Sequence, residues 1–183
     1  MKIAAVALLA LCALPGGSLA DSPRADNPKV NRTMIEAMQQ SMDRKIVAIW
    51  PQDPAEVLGV SQGAYIQGYG AVFLGEVNAA PTAGLSPFHP SVTPDEIRRT
   101  HDKKLQRLAG IRSAMRSMLM DSARSLDAVP ADEQVTIGLS LFYWKWENRE
   151  GLPGQIVMHA PRKALLAAAN AEQASASVST EEF

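Results

Sequence analysis

Cysteine occurs once in the 183 residues, and its position removes it from the working protein. Cys12 lies inside the apolar run Ile3 to Leu14, which Lys2 precedes and Pro15-Gly16-Gly17 breaks. Ser18-Leu19-Ala20 then places small residues where a signal peptidase reads. Residues 1–20 therefore read as a secretory signal peptide, since the run is too short to span a bilayer as a mature helix. Leu11 stands where a lipoprotein needs a small residue, so acylation of Cys12 is not expected. A mature chain from Asp21 has no thiol, which excludes a disulfide framework, a Cys metal site and a Cys nucleophile. The expected location is the periplasm or the extracellular space, with no transmembrane helix left after processing.

Other scarcities exclude other functions. Without Lys2, 17 basic residues face 19 acidic ones, a net charge of −2 that offers no general attraction to nucleic acid or anionic lipid. The three histidines, His89, His101 and His159, include no i, i+4 pair and no H-E-x-x-H, so no metal site is expected. No internal repeat is visible, and no cofactor motif stands out. About 160 residues without staples must rely on an ordinary hydrophobic core.

The pattern along the chain predicts a single α+β domain over 31–170. It follows a loose arm over 21–30, rich in proline and polar residues, and precedes a small, polar tail over 171–183 expected to be disordered. A first helix is expected from Thr33, with Glu36 closing a capping box. Met34, Met38, Met42, Ile46 and Ile49 form its apolar face, and Pro51 ends it. Val57 to Asn78 alternates and is β-rich, predicting two short strands around Gly68-Tyr69-Gly70. Thr93-Pro94-Asp95-Glu96 is a strong helix start, with a cap, proline at the first position, acids facing the dipole and a closed box. That helix should run to about Asp127. Val135 to Trp146 alternates again and pairs with Gln155 to His159 as an antiparallel hairpin. The expected fold is a small, mainly antiparallel sheet of three to four strands with two longer helices packed on one face.

Ala64-Tyr65-Ile66-Gln67-Gly68-Tyr69-Gly70-Ala71-Val72-Phe73, followed by Glu76-Val77, resembles a pattern in uncharacterised exported bacterial proteins. The later Val-Thr-Ile strand, Ile156-Val157-Met158, and the step Arg162-Lys163 into Ala-Leu-Leu share the likeness. The resemblance implies export and an α+β domain, and carries no activity, cofactor or catalytic residue.

Several residue sets bear on chemistry. Gly59-Val60-Ser61-Gln62-Gly63 matches the G-x-S-x-G nucleophile elbow, and Asp127 or Asp132 and then His159 follow in hydrolase order. An elbow needs a strand before the serine and a helix after it. Here Pro-Gln-Asp-Pro-Ala-Glu precedes it and a β-rich stretch follows, so a turn between strands is the better reading and Ser61 hydrolysis the alternative. Met34, Met38, Met42, Met115, Met118 and Met120 offer soft ligands for Cu(I), but their helical spacing fits core packing. The basic residues of the long helix spread around its circumference and read as a solvated face. Phe142, Trp144 and Trp146 alternate along a strand and so share one face, which the two amphipathic helices are expected to cover as core, the alternative being a face offered to a partner. The favoured function is non-enzymatic binding or scaffolding in the envelope, with a glycan, peptide or protein as partner.

Overall fold

The computed structural model describes residues 29–82 and 91–183. The signal-peptide reading, most of the arm and His89 lie outside the described residues. Helix α1 spans Arg32–Ala48, strands β1, β2 and β3 span Glu56–Val57, Gln62–Ile66 and Gly70–Asn78, and helix α2 spans Pro94–Ser125. Strands β4 (Gln134–Leu141) and β5 (Gln155–Pro161) follow, then helices α3 (Arg162–Ala167) and α4 (Ala171–Ala174), and strand β6 (Ser179–Glu182). No described helix is long and apolar enough to cross a membrane.

The fold is α+β, but the sheet is larger and more mixed than expected. It has six strands, with β3-β4-β5-β6 in sequence and both β1 and β2 on the outer side of β3. The hairpin β4–β5 is antiparallel, with Ile137 opposite Met158. Strands β3 and β4 are parallel, with Phe73 opposite Ile137, because α2 carries the chain back between them. The polar tail expected to be disordered instead forms α4, a helical turn and β6, which pairs antiparallel with β5.

Alternation fixes which sheet face is covered. Ala71, Phe73 and Val77 on β3, Val135, Ile137, Leu139 and Leu141 on β4, and Ile156, Met158 and Ala160 on β5 are all buried. They pack under Met38, Met42 and Ile46 of α1 and Leu108, Ile111, Met115, Met118 and Leu119 of α2. The methionines are therefore core, as their spacing suggested. Among the described residues no helix lies on the opposite face, and Leu74 there is 47% exposed.

Helix α2 starts as predicted: Thr93 and Glu96 form both arms of the capping box ahead of Pro94. Helix α1 starts two residues earlier than expected because Asn31, not Thr33, caps it, accepting from Met34 N at 3.0 Å. Glu36 is drawn instead to Arg32, one turn back on the helix.

Candidate functional site

The hydrolase constellation does not assemble. Ser61 is fully buried, and its Oγ donates to Asp43 Oδ1 of α1 at 2.5 Å. It lies on the helix-covered face, where a Cβ on Gly75 would come within 2.9 Å of the same Oγ. His159 sits between the buried Met158 and Ala160 and so projects from the other face. The cross-strand row Ala64, Val72, Thr136, His159 puts three strand spacings between β2 and β5. At about 4.8 Å per spacing, Ser61 and His159 are roughly 15 Å or more apart. Asp132 is exposed in the turn before β4 and Asp127 in the turn after α2. His159 instead meets Gln134 Oε1 through Nδ1 (3.4 Å) and Glu181 through Nε2 (3.9 Å).

The aromatic segment departs from expectation in an informative way. Strand β4 ends at Leu141, and the Phe142 N–H makes one more cross-strand bond, to the Val77 carbonyl (2.9 Å). The chain then bends through a turn at Lys145-Trp146, so Trp146 does not continue a strand face with the other two. Phe142 and Trp144 do pair, edge to face, with ring centroids 5.0 Å apart. Trp144 remains 39% exposed, so it is not the covered core ring that helix packing suggested. Phe142 follows Ser140 by two residues and places the pair at one end of the uncovered sheet face.

What fixes this corner is a buried ion pair. Lys104 Nζ of α2 lies 2.5 Å from Glu147 Oε2, with both side chains almost wholly buried. The same ammonium donates to the Phe142 carbonyl (2.9 Å) and sits over the Tyr143 ring, 4.7 Å from its centroid. Glu147 Oε1 accepts from Trp144 N–H, and Glu147 N–H donates to the Trp144 carbonyl, each at 3.1 Å. Tyr143 donates to the Pro153 carbonyl (2.8 Å), and His101 Nδ1 donates to the Asn148 carbonyl (3.1 Å). Burial lowers the Lys104 pKa, with Glu147 partly offsetting it. Burial, helped by the Glu147 charge, pushes the Tyr143 hydroxyl up to about 12. The Trp144 backbone is thus held by groups that are themselves held.

Lys104 and Arg107 are therefore not part of a solvated face. Arg107 donates to the Ala79 carbonyl (2.5 Å) and to Asp53 Oδ2 (2.6 Å), and stacks on Trp50 at 4.4 Å. The signal was present in the sequence: Lys104, Leu108, Ile111 and Met115 share one stripe at helical spacing, so Lys104 falls where apolar residues belong. Its partner Glu147, forty-three residues on, has no local pattern to betray it.

Along the strands of the uncovered face no position is Lys or Arg; its ionisable groups are Glu56, Glu76, His159 and Glu181. Leu74 lies across Gly138, where a Cβ would stand 2.7 Å from Leu74 Cδ2, and Val157 borders the same spot. Among the described residues no group of three or more His, Cys, Asp or Glu is placed to hold a metal ion. No protein-family model matches the chain, and neither the curated proteins nor the solved structures give a significant match.

Proposed function

We propose that this chain is an exported, non-enzymatic binding protein of the bacterial envelope, and that the Phe142–Trp144 corner contacts an envelope glycan. The observation that carries the reading is an indole that is well exposed yet rigidly supported from below by Lys104 and Glu147. An exposed ring on a fixed backbone costs little entropy to use, and offers a flat apolar surface to the C–H face of a sugar. Ser140 and Gln155, opposite one another on the adjoining strands, supply neutral hydrogen-bonding groups on the same sheet face. Export rests on the residue 1–20 pattern and on the resemblance to exported bacterial proteins.

Trp144→Ala tests this directly. The exposed ring should cost about 1 kcal/mol on removal, the worth of its edge contact, against the 3–5 kcal/mol of a core ring. Retention of the protein by insoluble cell-wall glycan should fall by about tenfold or more if Trp144 is the anchor. Unchanged retention by a folded variant would refute the site.

A further inference from the structure

A second feature stands apart from the aromatic corner. Four consecutive residues, Gln62 to Tyr65, line a cleft of about 520 Å³ whose far wall is the start of α1, including Ile35 and Glu36. Because residues of both strand faces line it, the cleft follows the backbone edge of β2. Strand β2 pairs only with β3, so among the described residues alternate N–H and C=O groups over Gln62–Ile66 point away without a partner strand. At the Ser61 end α1 takes the partner's role: Gln39 Nε2 donates to the Ser61 carbonyl (2.6 Å), and Asp43 accepts from the Ser61 N–H (3.3 Å). Past Ser61 that substitution stops.

Sheets commonly protect such an edge with charge, proline or a bulge. The opposite edge obeys this rule, since β6 carries Glu181 and Glu182. The β2 run Gln-Gly-Ala-Tyr-Ile carries no charge and no proline.

We infer that this cleft is a peptide groove, in which an extended, uncharged segment of a partner protein adds to β2 as one more strand. The five residues of β2 span about 17 Å, and main-chain pairing along them supplies affinity without demanding one sequence. Arg32 and Glu36 neutralise each other at the mouth, 2.5 Å apart, so the groove offers no net charge to a charged ligand. Every second ligand side chain turns toward α1, where Ile35 and Tyr65 favour an apolar residue. Residues 21–28 fit the groove poorly, because Pro23 and Pro28 lack the N–H that pairing needs. A second copy of β2 would bring its own α1 to the same edge, where the cleft has room for a strand alone.

The test begins with phage-displayed random twelve-residue peptides, selected on the exported chain biotinylated at its N-terminus. Selected peptides should be apolar at alternate positions, bind in roughly the micromolar range and slow amide exchange over residues 62–66. Glu36→Trp, which fills the groove from an exposed helix position, should weaken binding by about tenfold or more while leaving the melting curve unchanged. Arg99→Trp, on α2, should bind like the parent chain. The proposal is overturned if no peptide is selected, or if the peptides protect β6 or the Trp144 corner instead. It is equally overturned if Arg99→Trp weakens binding as much as Glu36→Trp. Protection, before any peptide is added, of those amides of residues 62–66 that do not bond β3 would also overturn it, the groove then being filled by the arm if deleting 21–28 removes the protection or by a second copy if Glu36→Trp dissociates a dimer.

Discussion

A buried lysine is an unusual thing to place on a helix stripe, and Lys104 shows what it is for. Its ammonium is too costly to bury alone, so it must be met by Glu147 and the Phe142 carbonyl. Truncating one partner strands the other charge: Lys104→Met should destabilise by about 3–5 kcal/mol. The double change Lys104→Met with Glu147→Leu should recover most of that loss, while releasing the Trp144 backbone that Glu147 holds. Urea unfolding of the single and double variants measures the first effect, and glycan retention the second. Tyr143 gives a pH signature for the same cluster. Its folded pKa, about 12, lies above the unfolded value near 10, so the folded state holds its proton longer. The stabilisation is complete below about pH 10 and is lost as pH rises toward 12. In an absorbance titration of the three tyrosines, Tyr143→Phe should delete the latest step. The partnership has no signature in the sequence: helical spacing puts Lys104 in line with Leu108, Ile111 and Met115, yet among the other basic residues of α2 it reads as part of a solvated face, and only the chain return in three dimensions brings Glu147 beneath it.

Elements were legible where local chemistry decides them. Thr93, Pro94 and Glu96 fix the start of α2 without help from tertiary structure, and period-two alternation identifies β4 and β5. Elements decided by distant partners were not. The tail after Asn170 is small and polar, and every residue of β6 is exposed, so no burial pattern marks it as a strand. It is ordered by backbone pairing with β5, by the bonds of Gly154 and Gln155 N–H to the Phe183 carbonyl, and by the two-pronged Arg112–Glu182 pair at 2.6 and 2.8 Å. The end of β4 is hidden for the converse reason. The alternation of Phe142 to Trp146 looks like a strand, but Lys104 and Glu147 draw that backbone into a turn. Deleting residues 179–183 should cost about 1–3 kcal/mol, since a few net backbone bonds and a half-exposed ion pair are lost and little apolar area is uncovered. A shift in urea midpoint with an unchanged slope would bear this out.

At the scale of the molecule, both long helices among the described residues, α1 and α2, lie on one side of a six-stranded sheet, and no described helix covers the other. The α+β class and the one-sided helices follow from the order of apolar patterns. The mixed sheet does not, because alternation is blind to strand direction. What makes β3 and β4 parallel is the fifty-odd residues between them, and that length has a kinetic consequence. The central pair, Phe73 beside Ile137, cannot form until the ends of the longest connection in the sheet have found each other. Ordering that loop must precede the reward of its contacts, while the β4–β5 hairpin closes over a short span. Refolding should therefore be slow for a chain of this size, in the millisecond-to-second range. Hydrogen-exchange labelling during refolding should protect β4 and β5 against each other before β3 is protected against β4. Until then the apolar side of the hairpin is bare, and if the chain is exported as proposed, it passes through this interval each time it emerges unfolded from a membrane.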